Sequence, residues 1–165
     1  MMQMIKNIEG KIGQELRKRG WRLAVAESCT GGLIGHRITN IPGSSTYYLG
    51  SITAYAYRAK VRLLGVSWDT LETYGAVSEE AIREMALGVR RALTADVGIA
   101  VSGIAGPSGG TSEKPVGYTW IGLSTVKGIL TLQHTAGGNR IENKQEIAQV
   151  ALEFLYEYLR KDGKD

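Results

Sequence analysis

The run Leu23-Ala24-Val25-Ala26-Glu27 is apolar up to its last residue and passes at once into Ser28-Cys29-Thr30-Gly31-Gly32, then into Leu33-Ile34-Gly35. A short apolar run, two adjacent glycines and a renewed apolar pattern predict a strand, a tight turn and a helix, the junction from which α/β folds are built. Such a junction aims backbone N–H groups and the positive end of a helix dipole at whatever lies beside Ser28, which suits an anion or a developing oxyanion. A plainer reading has Ser28 or Thr30 capping the helix while the glycines let it pack closely on the strand. Ser28 is therefore the first candidate nucleophile, weighed against a cap.

The rest of the chain repeats the alternation. Ile5, Ile8, Ile12 and Leu16 recur at helical spacing and Gly20 stands where a helix would end, so a helix is expected over 4–19. Strands are expected over 22–26, 47–56 and 97–101, and helices over 33–39, 58–64 and from Ser67 to about Tyr74. Ser78-Glu79-Glu80 opens a well-patterned helix through Ile82, Met85, Ala86, Val89 and Leu93. Residues 117–124 and 129–135 read as a hairpin, so antiparallel pairs join the parallel ones. Asn139 and Glu142 resemble a capping box ahead of a final helix. The expected architecture is a three-layer α/β/α sandwich on a mixed sheet, with the segments after the first three strands gathered at their carboxyl ends, where ligands bind in such folds.

At 165 residues and 43% hydrophobic, the chain suits one domain over 1–165. No apolar run approaches the ~20 residues needed to cross a bilayer, and Met1-Met2-Gln3-Met4-Ile5-Lys6 lacks the apolar stretch of a signal peptide, so a cytoplasmic protein is expected. A single cysteine, Cys29, excludes an intrachain disulfide, and two histidines, His36 and His134, supply a zinc set poorly; no metal is expected. The net charge of +4 is dispersed among acidic residues. Its densest group, Lys6 to Arg22, fits the solvated face of the first helix at least as well as a phosphate-tracking stripe, so no nucleic-acid partner is expected. The broad stripe of the last helix, with Phe154, Leu155, Tyr156 and Tyr158, suggests self-association as a dimer.

No histidine falls near the ends of the first three predicted strands, so a serine nucleophile there needs another base. Lys60 stands where the strand over 47–56 gives way to a helix, flanked by Tyr55 and Tyr57. A lysine serves as base only when neutral, which burial or a neighbouring cation makes possible; the alternative is a surface lysine at a helix start. Cys29 is a second candidate nucleophile, because thiols at helix N-termini ionise more readily. The glycine-rich segment 103–111, with Gly103, Gly109 and Gly110, is either a close approach to phosphate or ribose or an ordinary connection. Glu27 either holds a hydroxyl or the lysine in place or is a buried carboxylate satisfied by backbone donors.

Ala26-Glu27-Ser28-Cys29-Thr30-Gly31-Gly32, Tyr55-x-x-x-Ala59-Lys60 leading into Arg62-Leu63-Leu64-Gly65-Val66, Gly75-Ala76-Val77-Ser78, Ser102-Gly103-Ile104-Ala105-Gly106-Pro107, Gly109-Gly110-Thr111 and Lys114-Pro115-Val116-Gly117 occur here in one order. Together they resemble the CinA C-terminal domain family, over residues 5–160. That family includes nicotinamide mononucleotide deamidases, which hydrolyse the carboxamide to nicotinate mononucleotide and ammonia. The resemblance implies no metal or organic cofactor.

By resemblance, Ser28 is the nucleophile, Lys60 its base and Tyr55 a neighbour that orients or relays the proton. The N–H groups of Thr30, Gly31 and Gly32 would hold the oxyanion. Ser102 matches a position near the substrate where some relatives carry threonine, and Arg140 matches an arginine that either binds phosphate or steadies an acyl intermediate. Relatives often carry Tyr-Ser-Asn where this chain has Tyr55-Ala56-Tyr57, so Tyr57 replaces or alters that contact. Larger relatives carry an additional N-terminal domain, so a stand-alone form is expected. The rival to an amidohydrolase is a non-catalytic domain that binds a nucleotide or a protein partner.

Overall fold

Alternating apolar residues in β1 (Leu23–Glu27) serve two cores at once. Leu23 and Val25 face one cluster, Ala24 and Ala26 the other, and all five strand residues are buried. In the computed structural model, which describes residues 6–162, the remaining elements are α1 (Ile8–Arg19), α2 (Leu33–Thr39), a 3-10 turn (Ser44–Thr46), β2 (Tyr48–Thr53), α3 (Tyr57–Leu64), α4 (Trp68–Tyr74), α5 (Glu79–Ala92), β3 (Val97–Gly103), β4 (Tyr118–Thr125), β5 (Gly128–Thr135) and α6 (Arg140–Asp162).

The sheet runs β2-β1-β3-β4-β5. β1 is parallel to both β2 and β3, whereas β4 and β5 add as an antiparallel hairpin. Helices α1, α2 and α6 cover one face through Ile12, Leu16, Ile34, Ile38, Leu152 and Leu155; α3, α4 and α5 cover the other through Leu64, Leu71, Ile82, Met85 and Val89. This is a three-layer α/β/α sandwich on a mixed sheet, as the alternation of elements implied.

Local chemistry explains the element ends. Gly20 closes α1 in the left-handed conformation at φ 64°. Ser67 and Ser78 accept the N–H of Asp69 and Ala81 at the starts of α4 and α5. The Asn139 side chain accepts from Ile141 and Glu142 while Glu142 returns a carboxylate to the Asn139 N–H, a complete capping box.

Several expectations shift. The first helix begins at Ile8, after Asn7 at φ 54°, and Met4 and Ile5 lie outside the described residues. The strand expected over 47–56 ends at Thr53, because the chain leaves the ladder after Ala54 donates to Glu27 O at 2.8 Å. Ser102, expected in a loop, lies within β3. The α6 stripe is covered within the chain: Leu155 and Leu159 are wholly buried in the core that α1 shares, with Phe154, Tyr156 and Tyr158 packed against it. The stripe alone therefore gives no argument for self-association.

One close approach positions the site. A side chain on Gly88 in α5 would place its first carbon 1.9 Å from the Leu64 carbonyl oxygen, so glycine there lets α3 lie directly on α5. Lys60 is carried by α3.

Candidate active site

Parallel register puts the three strand ends in one row: Glu27 pairs with Thr53 on one side and Val101 on the other. The next residues, Ser28, Ala54 and Ser102, are therefore neighbours, and the ladder continues as Ser28 N–H donates to Val101 O at 3.1 Å. Here the loops after the first three strands do converge, around a cavity of about 210 Å³.

Lys60 reaches across this row. Its Nζ lies 2.9 Å from Ser28 Oγ, 2.8 Å from Ala54 O and 3.1 Å from Tyr55 O. A neutral amine has two N–H groups and one lone pair. When the amine is neutral and both N–H groups sit on carbonyls, its lone pair is left for the Ser28 hydroxyl; when it is protonated, the third N–H donates to Ser28 Oγ. Lys60 is 1% exposed and meets no carboxylate among the described residues; burial pulls its pKa down from 10.5 to about 8. Ser28 is 7% exposed and lines the cavity.

Cys29 also lines the cavity, but burial raises its thiol to about 11, which keeps it protonated and a poor nucleophile. The N–H groups of Cys29 and Thr30 face this sulfur and lower it slightly. Among the described residues they donate to no oxygen.

The turn after Ser28 is organised from beneath. Glu27, wholly buried, accepts from Thr30 Oγ1 (2.6 Å) and from the N–H groups of Gly32 (3.0 Å), Ile34 (3.1 Å) and Gly35 (2.9 Å). Glu27 thus fills both roles open to it in part, holding the Thr30 hydroxyl while three backbone donors satisfy the buried carboxylate. Gly31 N–H donates to Ser28 O at 3.1 Å, so Gly31 and Gly32 have no free amide for an oxyanion. The amides left open are those of Cys29 and Thr30.

Tyr55 is 60% exposed at the cavity mouth, and its phenol accepts from Arg140 Nη2 at 3.0 Å rather than meeting Lys60. Arg140 Nη1 donates to Gly106 O at 2.6 Å. Ser102 lines the cavity with its hydroxyl donated to Ala76 O at 2.8 Å. Gly103 lines it too, and its lack of a side chain is required by Thr119, whose Oγ1 would lie 2.2 Å from an added carbon. Gly109 and Gly110 do not line the cavity; Gly110 packs on the Val116 amide.

Sequence reasoning missed the wall at 74–78. Ala76 and Val77 line the cavity, and the segment is held at successive points: Lys114 Nζ on Tyr74 O, Ser78 Oγ on Gly75 O, and the Ala76 N–H on the Tyr57 hydroxyl at 3.3 Å. The only sequence mark was the Gly75-Ala76-Val77-Ser78 motif, to which no chemistry attached. Both histidines lie instead on a separate groove of about 860 Å³ beside α2 and α6, where His134 Nε2 is 2.7 Å from Glu146.

Comparison with known proteins places the chain in a family. The CinA C-terminal domain model matches residues 5–159. A "CinA-like protein" of Desulfosudis oleivorans is 53% identical over 150 residues, covering 90% of this chain and 36% of that protein. The chain thus spans little more than a third of such longer relatives. The "Nicotinamide-nucleotide amidohydrolase PncC" of Enterobacter agglomerans is 49% identical over 144 residues, covering 87% of this chain and 88% of that protein. The crystal structure of a CinA superfamily protein from Klebsiella pneumoniae superposes with TM-score 0.90 at 31% identity, covering 93% of this chain and 96% of that one. By motif order, fold and sequence, this chain belongs to the CinA C-terminal domain family.

Proposed function

We propose that the protein is an amidohydrolase that converts nicotinamide mononucleotide to nicotinate mononucleotide and ammonia in the cytoplasm. The observation that carries the reading is the 2.9 Å contact between Ser28 Oγ and a buried Lys60 whose other two directions are filled by carbonyls. Support comes also from the name of the similar-sized relative, a nicotinamide-nucleotide amidohydrolase.

Neutral Lys60 takes the Ser28 proton as Oγ attacks the carboxamide carbon. The Cys29 and Thr30 amides hold the resulting oxyanion, a role that moves one residue toward the nucleophile from the turn first expected. Lys60 returns its proton to the leaving nitrogen, ammonia departs, and an ester remains on Ser28. Water, deprotonated by the same amine, attacks that ester; collapse releases the acid and restores the serine. Tyr55 and Arg140, joined at the mouth, orient the substrate rather than relay the Ser28 proton.

Ammonia release from nicotinamide mononucleotide by the purified protein tests the reading. Turnover should disappear in Ser28→Ala; a folded parent protein that releases no ammonia would overturn it.

A further inference from the structure

α6 begins at Arg140 and carries Lys144 one turn later, so the two cations share a helix face. The macrodipole opposes cations at this end, and a carboxylate partner is the usual remedy. Neither has one. Glu142 closes the capping box on the Asn139 N–H, Glu146 lies on His134, and the Glu27 oxygens are filled by the turn. Arg140 donates only to the Gly106 carbonyl and the Tyr55 phenol.

Lys144 is half-buried and makes no hydrogen bond or ion pair among the described residues. Its Nζ lies over Gly31, 3.7 Å from where a side-chain carbon on that glycine would stand. Gly31 is exposed and lies three residues after Ser28. The catalytic cavity, at about 210 Å³, falls below the ~300–1,000 Å³ of sites that enclose a whole small ligand, so the reacting end enters and the remainder lies against the rim.

We propose that Lys144, with Arg140, forms an anion site on that rim and holds the phosphate monoester of a substrate whose amide reaches Ser28. The inference rests on the amidohydrolase reading; it adds Lys144 to the site and takes the phosphate side of the two roles left open for Arg140. The unpaired ammonium gains a charge-assisted contact only when such a substrate is bound, and the bare backbone of Gly31 leaves room for it.

The test compares nicotinamide mononucleotide with nicotinamide riboside, which presents the same amide without phosphate. Lys144→Met, which keeps most of the stem and removes the charge, should raise KM for the nucleotide about tenfold and leave kcat/KM for the riboside unchanged. Lys144→Arg should restore most of the loss. An equal effect on both compounds, or none on the nucleotide, overturns the proposal. Inorganic phosphate titrated into the parent and Lys144→Met, followed by the backbone amide resonances of Gly31 and Lys144, reads the site without turnover. Saturable shifts weakened in the variant support it, and shifts absent or identical in both overturn it. A protein that hydrolyses neither compound yet shows lysine-dependent phosphate binding sinks the amidohydrolase reading and leaves the anion site standing.

Discussion

Ser28 Oγ and Lys60 Nζ, 32 positions apart in the chain, lie 2.9 Å apart, and both residues are buried. Only the neutral amine can accept the serine proton, and the amine is half neutral near pH 8. The logarithm of kcat/KM for nicotinamide mononucleotide should therefore climb with unit slope below pH ~8 and level off above it. A profile flat from pH 6 to 9 contradicts Lys60 as base. Lys60→Ala should lower kcat by about 10²–10⁴.

The same burial couples Lys60 to stability. Its pKa is about 8 folded against an ordinary 10.5, so between these values the unfolded chain binds more protons and stability rises with pH. Below pH ~8 the full penalty of burying the charge is present, on the order of 3 kcal/mol. Lys60→Met carries no such titration. In denaturant unfolding, the parent should gain about 3 kcal/mol on Lys60→Met between pH 8 and 10.5.

Cys29 sits beside the nucleophile with a thiol raised to about 11. Cys29→Ala should keep kcat within about threefold, since one small core truncation perturbs packing without touching the reacting oxygen. Iodoacetamide should label the folded protein much more slowly than the unfolded one at pH 8. Loss of turnover in Cys29→Ala with retention in Ser28→Ala would reverse the two roles.

Tyr57 holds the Ala76 amide, and Ala76 in turn receives Ser102. Removing the hydroxyl in Tyr57→Phe deletes one neutral hydrogen bond, worth about 1 kcal/mol. The expected result is a KM raised about fivefold with kcat little changed. A fall in kcat alone would mean that the phenol acts on chemistry instead of on the wall.

How much of this could be read from the chain depended on distance along it. The Leu23–Gly35 junction, the Ser78 cap and the Asn139–Glu142 capping box are local, and their residues state them directly. Lys60 was nameable because it closes a strand-to-helix segment, but its burial depends on α5 and on Gly88, which no local pattern announces. Glu27 could not be assigned between two roles until the α2 amides were seen to converge on it. Lys114 was legible only as the first residue of the Lys114-Pro115-Val116-Gly117 motif, whereas it braces Tyr74, 40 positions away. Lys144 offered no pattern at all, because an unpaired cation on a helix is ordinary until its neighbours are known.

The hairpin of β4 and β5 turns at Val126-Lys127, and since β4 runs against β3, that turn lies at the opposite end of the strands from Ser28. Val126 is exposed there, and Gly128 follows with open space around it. A fluorophore, affinity tag or inserted reporter domain grafted at this bend would ride on the far rim, and turnover should proceed beneath it undisturbed.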